Sequence, residues 1–295
     1  MSEPVIELDG LIHRYGKSEA LNGLSLRVEP GQCYGFFGRN GAGKTTAIKC
    51  LLNLLRPAAG KVRVFGMDPV REEAGIKARV AYVPDFVAFY PWMSVREVLE
   101  YQASFRPDWN QGTEEALMGR FRLDPKQPAS ALSKGQRTQL ALIGAIAAEP
   151  DLLILDEPTS GLDPLVRREF IQTVIGAYQD AAPGRRTVFV STHLITEFEG
   201  LIDRFTVIDR GHGVLTMGAD EARGKYRRVR ARFEGDAPPA EEFKEAKSVR
   251  REARSVELIV NGNGEEILAK LRRWNALDLT AESLSLEEVF LEAVR

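Results

Sequence analysis

The sequence predicts an α/β protein: a mixed sheet with parallel strands, covered by helices on both faces, followed by a small α+β domain. Short apolar segments typical of strands alternate with helical segments over most of the chain, and such alternation favours a parallel sheet. A glycine-rich segment also connects one apolar strand directly to a helix. The 295 residues suffice for one large domain and an appendage, and 44% hydrophobic residues can form a core.

The first part of the chain is expected to contain mostly strands. Alternating apolar residues and the turn signal Glu29-Pro30-Gly31 indicate where the strands lie. One helix is expected over residues 44–55, because Pro57 and Gly60 follow it. The predicted strands are residues 6–15, 24–28, 33–37, 61–65 and 80–83.

A mostly helical section follows, and strands then alternate with helices again. Two of its helices begin with pairs that have capping-box spacing, Ser94 with Glu97 and Ser133 with Gln136. Asp163-Pro164 predicts another helix start, because proline fits the first helical turn. The helical section spans residues 94–148, and the later strands are residues 152–155, 187–191 and 205–209.

The chain is expected to divide into two domains. Glycines at positions 211, 213 and 218 punctuate the end of the alternating core. The first domain is therefore predicted over residues 1–220, with a helical subdomain at about residues 86–150, and the accessory domain over residues 221–295. Strand, helix, strand and helix are expected there at residues 255–260, 265–274, 277–281 and 285–294.

Composition disfavours several functional classes. The net charge of −2 gives no global attraction to nucleic acid or anionic lipid. Cys33 and Cys50 lie in apolar segments, which predicts buried, reduced thiols of a cytosolic protein. The N-terminus lacks a signal-peptide pattern, and no segment approaches the ~18 apolar residues that span a bilayer. Any membrane-embedded part is therefore expected on another chain.

Residues 38–46, Gly-Arg-Asn-Gly-Ala-Gly-Lys-Thr-Thr, form a G-x-x-x-x-G-K-T pattern, here called the phosphate loop. Glycines let the backbone curl so that successive N–H groups face phosphate oxygens, and the following helix adds its positive end. Lys44 is expected to reach the β- and γ-phosphates, and the Thr45 hydroxyl to bind Mg²⁺. A plain glycine turn is the alternative. The strand before and the helix after favour a phosphate site, with ATP and Mg²⁺ as the ligands.

Two acids, Asp156 and Glu157, follow the apolar strand at residues 152–155. At the end of a buried strand, Asp156 is expected to hold Mg²⁺ and Glu157 to take a proton from the attacking water. The alternative is that the two acids are only solvent-exposed residues at the end of a strand. The phosphate loop upstream makes this the weaker interpretation.

Residues 132–136, Leu-Ser-Lys-Gly-Gln, form what we call the signature segment. Alone it indicates a helix cap. In order along the chain stand the phosphate loop, the signature segment, the Asp156-Glu157 pair, Ser-Gly-Leu-Asp at 160–163 and Ser-Thr-His at 191–193. This series resembles the ATP-binding cassette family, over about residues 5–218. Five motifs in the family's order are more specific than any one of them.

The resemblance implies a role for residues outside the phosphate loop. Cassettes of this family dimerise head to tail, with ATP between one subunit's phosphate loop and the other's signature segment. Ser133 and Gly135 are thus implied to contact the γ-phosphate of the partner's ATP, with the helix dipole aimed at it. Asp163 matches the loop that couples the two sites, and His193 the γ-phosphate sensor, with a loop-end histidine as the alternative. Tyr15 matches the aromatic that stacks on adenine; a half-buried strand tyrosine is its alternative.

Together, the motifs and the resemblance give a set of candidate site residues. Catalysis is assigned to Lys44, Glu157 and His193. The metal is assigned to Thr45, Asp85 and Asp156. The residues assigned to nucleotide binding are Tyr15, Gly38, Asn40, Gly41, Ala42, Gly43, Lys44, Thr45, Thr46, Ser133, Gly135, Gln136 and Asp163.

Two positions depart from the family pattern. Asp85 follows the strand at residues 80–83, where the family usually has a glutamine that touches Mg²⁺ or the attacking water. This change puts the usual coupling between ATP and the membrane partner in doubt, but not ATP binding. Lys134 replaces a common glycine of the signature segment, a position that varies in the family.

Two features of the C-terminal part bear on partners. Residues 283–290, Ser-Leu-Ser-Leu-Glu-Glu-Val-Phe, resemble the end of ATPase subunits of bacterial efflux transporters, including those for drugs and antibiotics; packing within the accessory domain is the simpler interpretation. The arginine-rich run at residues 223–232 invites a nucleic-acid interpretation. Alternation with Val229, Ala231 and Phe233 favours instead a strand with one solvated face. The acids expected to neutralise it are Glu234, Asp236, Glu241 and Glu242.

Three functions stay open on the sequence. The resemblance implies an ATPase subunit that energises an exporter, as a homo- or heterodimer on a separate integral-membrane subunit, in the cytoplasm at the inner face of the membrane. A soluble cassette protein acting on nucleic acid or ribosomes is disfavoured, because residues 43–132 leave no room for the long insertion such proteins carry. An ATP-gated regulatory switch with little turnover is the remaining alternative, which Asp85 favours and which Glu157 and His193 oppose. Within the first class, an importer subunit is the runner-up.

Overall fold

A computed structural model describes residues 3–106, 108–179 and 186–295. The chain forms two compact units, the first ending at Thr216 and the second running from Met217 to Arg295. The sequence had placed the division at residue 220, which lies inside a helix of the second unit.

The elements of the first unit follow the predicted alternation of strands and helices. Its strands are β1 (Ile6–Tyr15), β2 (Ser18–Val28), β3 (Cys33–Phe37), β4 (Ala59–Val64), β5 (Val80–Val83), β6 (Leu152–Asp156), β7 (Thr187–Thr192), β8 (Arg204–Asp209) and β9 (His212–Gly218). Its helices are α1 (Lys44–Leu51), α2 (Glu73–Arg79), α3 (Val95–Ala103), α4 (Gln111–Phe121), α5 (Lys134–Ala147), α6 (Pro164–Gln179) and α7 (Ile195–Phe198).

The central sheet has the strand order β5-β6-β7-β3-β8-β9 among the described residues. Strands β5, β6, β7, β3 and β8 pair in parallel. Every residue of β3 and of β6 is buried, as expected for parallel strands covered on both faces. The ring of Phe189 packs against Tyr34 and Phe36, with centroids 5.9 and 5.5 Å apart. The predicted α/β fold class is confirmed.

A second, antiparallel sheet has the order β2-β1-β4. Its apolar face shares one hydrophobic core with α1 and the central sheet, in which Leu11, Leu24, Ile48 and Phe189 are buried. The hairpin of β1 and β2 therefore lies beside the helix that follows the phosphate loop.

The helices after β5 begin at the predicted caps. The Ser94 hydroxyl accepts a hydrogen bond from the Glu97 N–H, and the Glu97 carboxylate accepts from the Ser94 N–H, so α3 begins with a capping box. Ser133 and Gln136 form the same arrangement at the start of α5. Because side-chain caps satisfy N–H groups that a helix leaves unpaired, these starts follow from local sequence.

The helix after the phosphate loop is shorter than predicted. It ends at Leu51, whereas the sequence had indicated residue 55. Asn53 adopts a left-handed conformation with φ of 56°, and the N–H groups of Leu54 and Leu55 turn back to the Lys49 carbonyl. Asparagine tolerates this conformation well, so the chain leaves the helix before the proline is reached.

The second unit is an α+β fold. It contains α8 (Ala219–Lys225), β10 (Tyr226–Arg232), β11 (Ser248–Arg251), β12 (Ser255–Asn261), α9 (Gly264–Arg273), β13 (Asp278–Ser283) and α10 (Leu286–Ala293). The strands form an antiparallel sheet of order β11-β12-β10-β13. Its core joins the apolar faces of β10, β12 and α9, including Val229, Leu258 and Leu271.

Residues 226–232 of the arginine-rich run form a strand with one solvated face, as predicted, whereas residues 223–225 lie in α8. Val229 and Ala231 of β10 are buried, whereas Arg230 is exposed. The prediction that acids just after the run neutralise it was wrong. Arg228 and Arg230 instead form ion pairs with acids that strand pairing and α10 bring close. These acids are Glu257, Glu282 and Glu288.

Two further observations concern membrane-spanning helices and the cysteine thiols. Within residues 3–106, 108–179 and 186–295, no helix is long and apolar enough to cross a bilayer. Cys33 and Cys50 are buried free thiols. Burial raises the pKa of Cys33 well above its usual range and that of Cys50 to about 11, so both thiols stay protonated at neutral pH.

Candidate active site

The site lies where the carboxyl ends of adjacent parallel strands meet. The phosphate loop follows β3, Glu157 follows β6, and His193 follows β7. In the ladder, Phe37 pairs with Thr192 and Asp156 with Ser191. Three segments far apart in sequence are therefore brought to one edge of the sheet, the edge at which ligands bind in open α/β folds.

Close packing requires the glycines of the phosphate loop. Gly43 has φ of 108°, and a Cβ there would lie 2.4 Å from the Ala20 carbonyl oxygen. A Cβ at Gly38 would lie 2.7 Å from the Ile208 carbonyl oxygen. Gly41, with φ of 81°, has open space around its Cα. Without these Cβ atoms the backbone can curl closely between β2 and β8.

Lys44 is the first residue of α1 and is 5% exposed. Its Nζ donates to the carbonyl oxygens of Gly38 at 2.7 Å and Arg39 at 3.2 Å. The same atom lies 2.8 Å from Glu157 Oε1 in a buried ion pair. The ammonium thus sits inside the curl of the loop, where a bound phosphate group would face it.

Asp156 ends β6 and is fully buried. Its two carboxylate oxygens accept hydrogen bonds from Thr45 Oγ1 at 2.7 Å and Ser191 Oγ at 2.8 Å. Burial raises the pKa of Asp156 above its ordinary value, and these two hydrogen bonds oppose the rise. A buried carboxylate beside a threonine hydroxyl is an all-oxygen donor set, which suits a hard cation such as Mg²⁺.

Glu157 is held in a left-handed backbone conformation, with φ of 47°. Its N–H donates to the Ser191 carbonyl at 2.8 Å. Its Oε2 lies 2.8 Å from His193 Nδ1 and accepts from the Thr192 hydroxyl at 3.3 Å. Non-glycine residues adopt this conformation at an energetic cost, and such residues cluster at active sites. The turn fixes the carboxylate between Lys44 and His193.

Asp85 is exposed and follows β5, next to β6 in the sheet. Tyr82, the penultimate residue of β5, lies near Asp85 and Asp156: burial and then the negative charges of these two acids raise its pKa above the usual range. No group of three or more His, Cys, Asp or Glu residues positioned to hold a metal occurs in the described part of the chain.

The signature segment and Asp163 form a second group of predicted residues. Ser133 and Gln136 cap α5, and a Cβ at Gly135 would lie 3.2 Å from Val166 of α6. Asp163 caps α6, with its Oδ1 accepting from Leu165 N and Val166 N, each at 3.1 Å. Among the contacts of the described residues, none joins these predicted residues to Lys44 or Asp156.

Two other nucleotide-binding candidates are also accessible. Tyr15 is 50% exposed and meets the ring of His13 edge to face, with centroids 4.7 Å apart. Asn40 is exposed in the phosphate loop, whereas Thr46 is buried in α1.

Sequence reasoning missed the residues that support the site. Ser191 fixes Asp156, and its place directly opposite Asp156 in the ladder was not visible in the motif. Glu197, on α7, pairs with Arg167 at 2.6 Å and accepts a hydrogen bond from Thr159. The spacing of Glu197, four residues after His193, was the only available signal in the sequence.

Comparison with known proteins agrees with this geometry. Residues 21–160 match the family model described as ABC transporter. The daunorubicin/doxorubicin resistance ATP-binding protein DrrA of Streptomyces peucetius is 32% identical, over 97% of this chain and 91% of its own length. The chain belongs to the ATP-binding cassette (ABC) transporter family.

Other ABC proteins match over most of their length. The daunorubicin resistance ATP-binding protein DrrA3 of Streptomyces coeruleorubidus is 35% identical, over 76% of this chain and 72% of its own. A solved structure of an ATP-binding subunit of an ABC transporter superposes with a TM-score of 0.66 at 25% identity, covering 75% of this chain and 92% of that one. The family predicted from the motifs is confirmed, and this ABC chain is an ATP-binding and ATP-hydrolysing subunit.

Replacing Lys44 by Met should destabilise the fold by about 3 kcal/mol, because it leaves Glu157 buried without its cation. The double variant Lys44→Met/Glu157→Gln should recover most of this loss, since the uncompensated charge is gone. Urea unfolding of both variants gives the two free energies of unfolding. The exposed Lys61→Met serves as control and should stay within about 0.5 kcal/mol of wild type. A single variant as stable as wild type would contradict the buried ion pair.

Proposed function

We propose that this chain is the ATPase subunit of an efflux transporter and works as a head-to-tail dimer on a separate integral-membrane subunit. The observation that carries the proposal is the convergence of Lys44, Asp156, Glu157 and His193 at one sheet edge. The names of the relatives, which are drug-resistance ATP-binding proteins, support the efflux direction.

The residues of the phosphate loop fit a nucleoside triphosphate with Mg²⁺. Lys44 would exchange its contact with Glu157 for the β- and γ-phosphates, and Thr45 with Asp156 would hold the metal. Mg²⁺ there would neutralise charge that develops on the phosphoryl oxygens. Tyr15, on the hairpin beside the loop, offers an exposed ring for stacking on adenine.

Glu157 is the proposed general base. Once Lys44 turns to phosphate, the Glu157 carboxylate keeps its contact with His193 Nδ1. The carboxylate is thereby oriented to take a proton from the attacking water, while His193 orients it and faces the γ-phosphate. General-base catalysis of this kind contributes about 10²–10⁴ in rate. A low-turnover regulatory switch would not need this pair, which argues against that alternative.

The second group of residues supports the dimer. Ser133, Gly135 and Gln136 form the start of α5, where Ser133 is exposed and the other two are half-buried, and the helix N-terminus carries a positive partial charge. A head-to-tail arrangement would give each signature segment the γ-phosphate of the partner's ATP. The first unit, which ends at Thr216, would then act as the ATPase domain, with residues 86–150 as its helical subdomain, and the second unit as an accessory domain.

An exposed group of aromatic rings supports a partner chain. We call Phe86, Tyr90, Trp92, Tyr101 and Phe105 the aromatic patch. Phe86 is 80% and Trp92 73% exposed, and neighbouring rings contact each other, with Tyr90 and Trp92 stacked at 4.9 Å. Exposed apolar clusters mark interaction sites. The patch directly follows Asp85, so the membrane subunit would dock beside the ATP site, at the cytoplasmic face of the membrane.

Glu157→Gln should keep ATP affinity, lose turnover by at least about 10²-fold, and accumulate an ATP-bound dimer. Size-exclusion chromatography with ATP and Mg²⁺ measures the dimer. Adding Lys44→Met to the same chain should abolish it, because phosphate binding is lost. A Glu157→Gln chain that stays monomeric while wild type dimerises would contradict the head-to-tail sandwich.

Asp85→Gln should bind ATP about threefold more tightly than wild type when Mg²⁺ is scarce, because a negative charge near the triphosphate is removed. The difference should vanish at saturating Mg²⁺, since carboxylate oxygens favour the hard cation. Calorimetric titration of ATP at low and high Mg²⁺ measures both affinities, and Asp278→Asn in the second unit is the matched control. Equal affinities at both concentrations would show that Asp85 does not sense the phosphates.

In detergent-solubilised membranes, Trp92→Ser should reduce the amount of a polytopic membrane protein that co-purifies with this chain. The reason is that the aromatic patch loses its indole ring. Quantitative mass spectrometry of the purified material measures the ratio of the two chains. The 44% exposed Trp274 lies outside the patch, so Trp274→Ser should leave the ratio unchanged. Equal loss in both variants, or recovery of ribosomes or DNA instead, would overturn the docking assignment.

A further inference from the structure

A lysine of the signature segment holds the segment that follows the catalytic glutamate. We call residues 160–163 the coupling loop. Lys134 Nζ donates to the Ser160 carbonyl oxygen at 2.6 Å. The lysine chain also lies over Gly161, where a Cβ would come within 3.0 Å of Nζ and 3.8 Å of Cε. Gly161 has φ of 69°, a conformation that favours glycine, so the tight turn and the lysine fit each other.

The positive charge of Lys134 lies at the N-terminus of α5, where it is electrostatically unfavourable. Lys134 is the first residue of α5, and a cation at a helix N-terminus is repelled by the positive end of the macrodipole. The Ser160 carbonyl gives the ammonium an acceptor away from the helix axis. Hydrogen bonds to charged groups are stronger than those between neutral groups, so this contact offsets the repulsion.

The other end of the coupling loop is fixed from the catalytic side. Arg167 Nη2 donates to the Leu162 carbonyl oxygen at 3.2 Å, and Arg167 pairs with Glu197 at 2.6 Å. Glu197 also accepts from the Thr159 hydroxyl. Leu162 is therefore attached through Arg167 to Glu197 of α7. Ser160 is attached through Lys134 to the signature segment.

We propose that Lys134 is a positioning residue that makes the signature segment and the coupling loop move as one body. When Ser133 and Gly135 close on the partner's nucleotide, Lys134 carries the loop and Asp163 with them. The proposal rests on the head-to-tail dimer proposed above. Because Lys134 acts through the loop, its loss should lower kcat and leave the KM for ATP nearly unchanged.

The tether itself is tested without ATP, by hydrogen exchange on the nucleotide-free full chain. Lys134→Met keeps the aliphatic chain over Gly161 and removes the donor. Exchange of the coupling-loop amides, including that of Leu162, which bonds to the Thr159 carbonyl at 3.2 Å, should become about fivefold faster. Lys134→Arg should restore the wild-type rate, and the exposed Lys126→Met should leave it unchanged. Unchanged exchange in Lys134→Met would overturn the tether.

Steady-state ATP hydrolysis tests the consequence. Lys134→Met should lower kcat about fivefold with KM within about twofold of wild type, and Lys134→Arg should recover kcat. A raised KM at unchanged kcat would assign Lys134 to direct phosphate contact and overturn the positioning role. Failure of the dimer proposal shows separately, as a wild-type chain that hydrolyses ATP without the dimerisation seen by size-exclusion chromatography, whereas the exchange result stands by itself.

Discussion

The buried ion pair between Lys44 and Glu157 is the interaction on which the rest of the site depends. Both groups are at least nine-tenths buried, and their charged atoms lie 2.8 Å apart. Charges in such surroundings are stable only when each has a partner. The Lys44–Glu157 pair therefore links the phosphate loop electrostatically to the end of β6 and to His193. If a ligand binds Lys44, the Glu157 carboxylate needs other partners. The hydrogen bond from Thr192 and the contact with His193 hold the other carboxylate oxygen, Oε2, so Oε1 is the atom that the departure of Lys44 would release.

The Lys44–Glu157 ion pair links phosphate binding to the proposed general-base step. Lys44 neutralises the carboxylate proposed as general base, so the residue proposed to bind phosphate is also the partner of the proposed base. Phosphate oxygens attract the ammonium at least as strongly as a carboxylate does, and they reach it from the open side of the loop. Glu157 would thus become available only after the phosphates arrive. In this proposal, the order of events follows from competition between carboxylate and phosphate for one cation.

The sequence was sufficient for the part of the site that local pattern determines. Lys44 and Asp156 were predicted from the motifs at the ends of β3 and β6, whereas His193 was assigned through the family resemblance; the parallel strands bring all three to one sheet edge. Residues that act through tertiary contacts were not foreseeable: Glu197 reaches Thr159 and Arg167 only because α7 packs beside the coupling loop. The acids around Arg230 were misassigned for the same reason, since strand pairing joined residues that are distant in sequence. The early end of α1 reflects the left-handed Asn53, a choice of backbone conformation that composition does not reveal.

The cap of α5 has a consequence for polarity. The Ser133 hydroxyl oxygen accepts the hydrogen bond from Gln136 N at 3.2 Å, and the Gln136 side chain in turn accepts from Ser133 N at 3.0 Å. One lone pair of the hydroxyl is thereby committed to the helix, while its own proton remains to be given outward. The α5 terminus consequently offers mainly donors to whatever approaches it: a rotating hydroxyl proton, backbone N–H groups and the neighbouring Lys134 ammonium. Such a surface favours ligands rich in acceptor oxygens.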